Sequence, residues 1–357
     1  MMDGQQRLTT SVFGTLPDGK EVHRFVLTSP YGIEVSLCNW GATVLQIQMP
    51  DCNQEMGDVV LGYDSLEGYL HDPFYLGATI GRVAGRIKEA RFWKSGKRYQ
   101  LGRNAGLHHL HGGEKGWSRI LWDAYPFETN HSSGVVFRYI CKDGTEGYPG
   151  NVTTSVRYTL CGKTLQIHYE ATTDQETPLN LTNHTYFNLK DGGKTGIESH
   201  KLFIRASHYL PMSEAYVPDG SFLPVYNTPF DFMKPRKLAK KMDLPDPQLQ
   251  RAGGLDHCFI LEEEPYVPCM AATLREKTSG RSLDVFTTYP AVQCYSGNFL
   301  DGSQKGRGGT PYIRRAGICL ETQYFPDSPN QPLFPSIFLL PGVVYQHQTF
   351  WRFSWGE

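Results

Sequence analysis

The segments "VRYTL" (156–160) and "LQIHYEA" (165–171) flank the turn-like "CGKT". They set Val156, Tyr158 and Leu160, then Leu165, Ile167, Tyr169 and Ala171, in step at period two. Side chains of a strand alternate between its two faces, so this spacing predicts a hairpin. Similar short runs recur along the chain: "HRFVLT", "IEVSL", "TVLQIQM", "GVVFRYI", "RSLDVFTT", "AGICLETQ" and "TFWRFSW". Turns rich in Gly, Pro, Asn and Asp separate them. With 37 Gly, 23 Pro and 13% aromatic residues, the chain favours strand and turn over helix. Only "DSLEGYL" (64–70) and "RKLAKKM" (236–242) read as short helices, the second bracketed by Pro235 and Pro245. There is no alternation of strand and helix, no fixed-period repeat and no low-complexity linker. The expectation is an all-β, antiparallel chain of one domain spanning residues 1–357. The Gly-rich "LDGSQKGRGGTPYIRR" (300–315) reads as a mobile surface excursion and not as a domain boundary.

Charge narrows the function. A net charge of −1 argues against a general electrostatic role on nucleic acid or an anionic membrane. The most basic run, "RIKEARFWKSGKRYQ" (86–100), interleaves cations with apolar residues and reads as a solvated strand face. None of the eight cysteines forms a C-x-x-C pair, which removes a zinc ribbon or a thioredoxin-type motif. The N-terminus lacks a secretory layout, and no apolar run approaches the roughly 20 residues that span a bilayer. A cytoplasmic protein with free thiols is expected.

The stretch "LNLTNHTYFNL" (179–189) is the most unusual. As a strand it shows Leu179, Leu181, Asn183, Thr185, Phe187 and Leu189 on one face. The other face carries Asn180, Thr182, His184, Tyr186 and Asn188. That second face offers neutral donors and acceptors plus one side chain that titrates near neutrality. It suits a neutral polyhydroxylated ligand, or it is a buried, internally satisfied polar network.

Other segments carry candidate chemistry. "HHLHGG" sets His111 before two glycines, which let a backbone approach a ligand closely. His108, His109 and His111 invite a metal, but no H-E-x-x-H spacing accompanies them, so no metal is expected. "GLDHCFIL" places Asp256 on a face shared with Cys258 and Ile260, where a carboxylate needs a partner: a sugar hydroxyl or an Arg. "GICLETQ" places Glu321 with Cys319 and Gln323. In a partly apolar pocket such a Glu becomes a stronger base; on a surface it is unremarkable. "GRVAGRI" (81–87) supplies Arg82 and Arg86 but lacks a dinucleotide fingerprint. No G-x-S-x-G occurs, so nucleophilic hydrolysis is unsupported.

Taken in order, "GRVAGRI", "LHGG", "EGYPG", "NLTNHTYFNL", "DHCF", "QCYSGNFLDG" and "ETQYFPDSPNQP" resemble the aldose 1-epimerases, or galactose mutarotases, across residues 11–355. The resemblance implies a large antiparallel β-supersandwich with an open cleft for a free monosaccharide such as galactose or glucose. It implies exchange of α and β anomers with no cofactor. It implies Glu321 as general base, His184 as general acid and His111 as the second active-site histidine. Arg86, Asp256, Tyr186 and Gln293 match substrate-contacting positions. A monomer or weak homodimer is expected. One departure is Gly85, where Asn often precedes the second arginine; losing that donor changes sugar affinity by about 1–3 kcal/mol unless something compensates. Two rivals stand beside this reading. A hexose-6-phosphate epimerase would need a cationic pocket from Arg82, Arg86, Lys88 and Arg91. A non-catalytic sugar-binding module would keep the sandwich and bind without exchange.

Overall fold

The hairpin forms as the alternation requires. In the computed structural model, which describes residues 7–262 and 267–356, Val152–Cys161 pairs antiparallel with Thr164–Thr173. The register sets Val156 opposite Tyr169 and Tyr158 opposite Ile167. Gly162 makes the two-residue turn with φ +59°, a conformation open to glycine. The inward side chains are buried and their neighbours are not, the signature of a sheet covered on one face.

Around this hairpin a nine-stranded sheet runs from Asp123–Glu128 to Arg236–Lys237. A five-stranded sheet holds the N-terminal strands in sequence order, from Leu8–Thr15 to Met56–Asp58. A six-stranded sheet carries, in spatial order, Tyr186–Phe187, Ile318–Gln323, Ala291–Tyr295, Asp256–Ile260, His208–Leu210 and Leu223–Pro224. Every strand pairing is antiparallel among the described residues. One contiguous core joins the three sheets, through Val35 and Val44 of the first, Val156 and Ile167 of the second, and Phe259, Val292 and Leu320 of the third. Burying those last three turns the opposite face of the six-stranded sheet outward. That face bears Glu321, Gln323, Gln293 and Asp256.

Local expectations fare unevenly. Leu66–Leu70 is helical as read. Residues 236–242 are not: Arg236–Lys237 pairs with Lys201–Leu202, and only a 3-10 turn follows at Leu238–Lys240. Sheet pairing captures the start of that segment. The second helix is Pro247–Ala252, whose ends are chemically marked. Asp246 accepts from the backbone of Gln248 and Leu249, Pro247 opens the first turn, and Gly253 closes it at φ +69°. The 300–315 excursion is anchored at its middle. Arg307 pairs with Asp58 and the Leu45 carbonyl, and the buried Tyr312 donates its hydroxyl to the Gly62 carbonyl at 2.7 Å. The 86–100 run contains the exposed hairpin Arg91–Lys94 with Lys97–Gln100, which buries Phe92. All eight cysteines are free thiols. No helix is long and apolar enough to cross a membrane among the described residues.

Arg281 ties these parts together. Its guanidinium is buried and donates to the carbonyls of Met49, Pro50, Glu55, Leu189 and Lys190. It thereby joins the end of the five-stranded sheet to the segment beyond residue 188. Arg281→Met strands these buried acceptors and is expected to lower unfolding free energy by about 3–5 kcal/mol in chemical denaturation. A loss below about 1 kcal/mol would contradict this role.

Candidate active site

Residues 179–189 do not form the single strand that their alternation imitates. Thr182–Asn183 and Tyr186–Phe187 form short strands, pairing with Thr79–Ile80 and Ile318–Cys319 respectively, and isolated bridges join Asn180 to Val83 and Phe187 to Val60. Both faces are buried throughout. The asparagines satisfy the backbone that the missing ladder leaves open. Asn180 donates to the Tyr324 carbonyl and accepts from its N–H. Asn183 donates to the Gly77 carbonyl and accepts from Thr185. Asn188 donates to the carbonyls of Thr195 and Ala316. Thus the polar-network reading holds for the asparagines, while His184 projects into a cleft.

The cleft brings His111, His184 and Glu321 together with Arg86, Asp256, Tyr186 and Gln293. All seven expected residues line it. Glu321 is 2% exposed, and its Oε1 lies 3.8 Å from His184 Nε2. The two imidazole rings cross nearly at right angles with centroids 5.2 Å apart. Tyr75, Tyr186 and Tyr295 pack around His184. Register explains the floor: Glu321 lies opposite Gln293, which lies opposite Cys258, while Cys319, Tyr295 and Asp256 form the adjoining row. Gln293 donates to Asp256 Oδ1 at 2.7 Å. The Arg86 guanidinium lies over the Tyr216 ring at 5.3 Å. Tyr186 spends its hydroxyl proton on the Phe74 carbonyl, so it offers the cleft a ring face and acceptor lone pairs.

Burial sets the electrostatics. It pushes Glu321 well above the usual carboxylate range, and Asp256 adds to the rise. It lowers His184 to about 4. His111 falls well below its ordinary value through burial, then through the neighbouring His184 and Arg86. Asp256 is raised by burial against the opposing pull of Arg86 and of the Gln293 hydrogen bond. Each shift favours the neutral form.

His111 is held in one tautomer. Its Nδ1 accepts from the Gly85 N–H at 3.3 Å, and the backbone N–H of His111 donates to the Gly85 carbonyl at 3.1 Å. The neutral ring therefore carries its proton on Nε2. One ligand atom from each of His111, His184 and Glu321 falls within 4.8 Å of the others, a spacing that could hold a metal ion. Binding one through His111 would cost the bond from Gly85.

The cationic pocket of the phosphate reading does not assemble. Arg82 is buried and donates to the Pro149 carbonyl and Thr177. Arg91 pairs with Glu89, and Lys88 points to solvent. Arg86 alone of the four lines the cleft. The cleft also includes Tyr75, Tyr216, Tyr295, Phe299 and Gln323, which the motifs did not single out as site residues. For Gln323 the signal was present, since it shares a strand face with Glu321. Tyr75 and Tyr216 lie in loops where no local pattern marks them. No residue of 300–315 lines the cleft.

The layered antiparallel fold, with a buried carboxylate and imidazole meeting in a tyrosine-lined cleft, has the galactose mutarotase-like architecture. The aldose 1-epimerase family model matches residues 23–351. The chain is 44% identical to the galactose mutarotase of Rattus norvegicus over 348 residues, covering 97% of this chain and 98% of that one. It is 36% identical to the aldose 1-epimerase of Escherichia coli, covering 94% and 96%. The crystal structure of galactose 1-epimerase from Lactobacillus acidophilus superposes with a TM-score of 0.87 at 30% identity, covering 99% and 100%. The chain belongs to the aldose 1-epimerase family, and it is an isomerase.

Gly85 holds φ +76°, and a Cβ there would sit 3.1 Å from Pro326 Cβ. Gly85→Ala is expected to destabilise the protein by about 1–2 kcal/mol, with Gly85→Asn losing less because Asn tolerates the left-handed region. Thermal melts of the two variants check the order; an alanine variant as stable as wild type would contradict it.

Proposed function

We propose that the protein interconverts the α and β anomers of free aldohexoses, galactose and glucose among them, by acid/base ring opening and reclosure. Glu321 is the general base and His184 the general acid. The observation that carries this reading is the buried Glu321–His184 pair, 3.8 Å apart in a cleft of neutral hydrogen-bonding and aromatic side chains. Glu321 takes the proton of the anomeric hydroxyl while His184 gives one to the ring oxygen. The C1–O5 bond breaks and an open aldehyde forms. Rotation about C1–C2 presents the other carbonyl face, and the two residues reverse roles on closure. Both protons return, so the reaction consumes no cofactor. His111 serves as a neutral Nε2–H donor to the developing charge. Arg86, Asp256, Gln293 and Tyr186 hold the remaining hydroxyls and the ring. Residues 1–357 act as one catalytic domain on a monosaccharide.

The protonation states need one further step. Burial opposes both ionised forms, yet catalysis needs carboxylate and imidazolium. One proton shared by the pair satisfies both demands. With the proton on Glu321 the pair is neutral; with the proton on His184 it is ready to react. The sugar favours the second state, because its anomeric hydroxyl donates to the carboxylate and its ring oxygen accepts from the imidazolium. A carboxylate raised by burial is a stronger base, and an imidazolium lowered by burial is a stronger acid.

Glu321→Gln is expected to cut kcat by at least about 10²–10⁴-fold while leaving the thermal midpoint unchanged or higher. Polarimetry of purified variant and wild type decides this, and near-normal turnover would remove the base assignment. The pH dependence follows from the proton count. Activity requires one proton on the pair. It falls on the acid side as a second proton binds, with kcat/KM breaking near His184's value of about 4. It falls on the alkaline side when the pair loses its proton, above the ordinary carboxylate range. A single acid limb at the ordinary histidine value of 6.5 would contradict the shared proton.

A further inference from the structure

Three side chains in the cleft bury polar atoms that have no hydrogen-bond partner: Glu321 Oε2, Gln293 Oε1, and both ends of the Gln323 carboxamide. Gln293 has committed one of its two N–H donors to Asp256. Gln323 is 1% exposed and spends neither end. Its Nε2 is the one donor atom of this set with no partner at all, and Glu321 Oε2 is an unclaimed acceptor that needs a donor most when ionised. The two residues stand two apart on one strand and share its cleft face. Their Cβ atoms are then roughly 7 Å apart, and since neither atom bonds the other here, the gap is one that a single water bridges. Ala291 lies opposite Gln323 in the register.

We infer that Gln323 is a positioning residue for the base: its carboxamide N–H holds Glu321 Oε2 through one bridging water, and so aims Oε1 at the anomeric hydroxyl and His184. The inference rests on Glu321 being the base. A donor on Oε2 also favours the ionised carboxylate without adding charge. The titratable and charged groups around Glu321 are Cys319 on its own strand, and His184 and Tyr186 on the segment beside it. Tyr295, Cys294, Asp256 and Cys258 lie on the neighbouring strands, Tyr169 of the nine-stranded sheet is near enough to interact with it, and His111 and Arg86 stand across the cleft. Among these only Asp256 is a second carboxylate, and it pushes Glu321 the opposite way.

The test is Gln323→Met, which keeps volume and loses the donor, with Gln323→Leu as a second variant should the first fold poorly. Polarimetry of α-D-galactose should show kcat reduced roughly 10- to 100-fold with KM changed less than about threefold. The alkaline limb of kcat/KM should move up by about one pH unit. An unchanged kcat and unmoved limb in a folded variant overturns the inference. So does a raised KM with kcat and limb intact, which assigns Gln323 to sugar binding instead. Glu321→Gln, run alongside, separates the two claims. If that variant keeps its turnover, the base assignment itself has failed. If it is inactive while Gln323→Met behaves as wild type, only the positioning role is lost.

Discussion

The hydrogen bonds of Asn180, Asn183 and Asn188 stand in for a sheet ladder along the segment that carries His184. A strand there would pin each side chain to one of two faces and bury the backbone against neighbours. Instead the chain passes between the Thr79–Ile80 bridge and the edge of the six-stranded sheet, and each asparagine closes a carbonyl or an N–H that pairing leaves open. Such interior groups are costly if orphaned. Satisfying them with side chains lets irregular backbone exist deep in the protein. That places His184 against Glu321, a residue supplied by regular structure. The site thus joins one rigid component from a sheet to one held by a side-chain network.

The same economy governs charge. A cleft that buries a carboxylate and two imidazoles would be expensive if all were ionised. Here burial returns each toward its neutral form, and the proposed chemistry asks for only one proton on the pair. The nearest cation, Arg86, lies over the Tyr216 ring, and Gln293 occupies one oxygen of Asp256. A neutral sugar is complementary to this arrangement because its hydroxyls supply donors and acceptors without adding charge. A phosphate would meet one cleft-lining arginine where a dedicated site needs several.

Much of this was legible in the residues, and the exceptions have physical causes. The hairpin at 152–173 could be read outright, since one covered face makes period two visible. Glu321, His184, His111, Arg86, Asp256, Tyr186 and Gln293, each named individually by the resemblance, all line one cleft. The stretch 179–189 misled because polar and apolar residues alternate there for another reason: the asparagines serve the backbone. Arg82 and Arg86 look equivalent in "GRVAGRI", but one is consumed by interior carbonyls and only the other meets the cleft. Nothing in four residues of sequence distinguishes them. The short helix at Pro247–Ala252 was marked by Asp246, Pro247 and Gly253, yet its brevity left no periodicity to notice. Tyr75 and Tyr216 arrive from loops, where position depends on tertiary packing.

The most direct measurement is the optical rotation of freshly dissolved α-D-galactose, followed with and without the protein. A mutarotase shortens the relaxation and leaves the final rotation unchanged, because it speeds both directions of one equilibrium equally. Unaccelerated relaxation in the presence of folded protein would contradict the assignment of this cleft to anomer exchange.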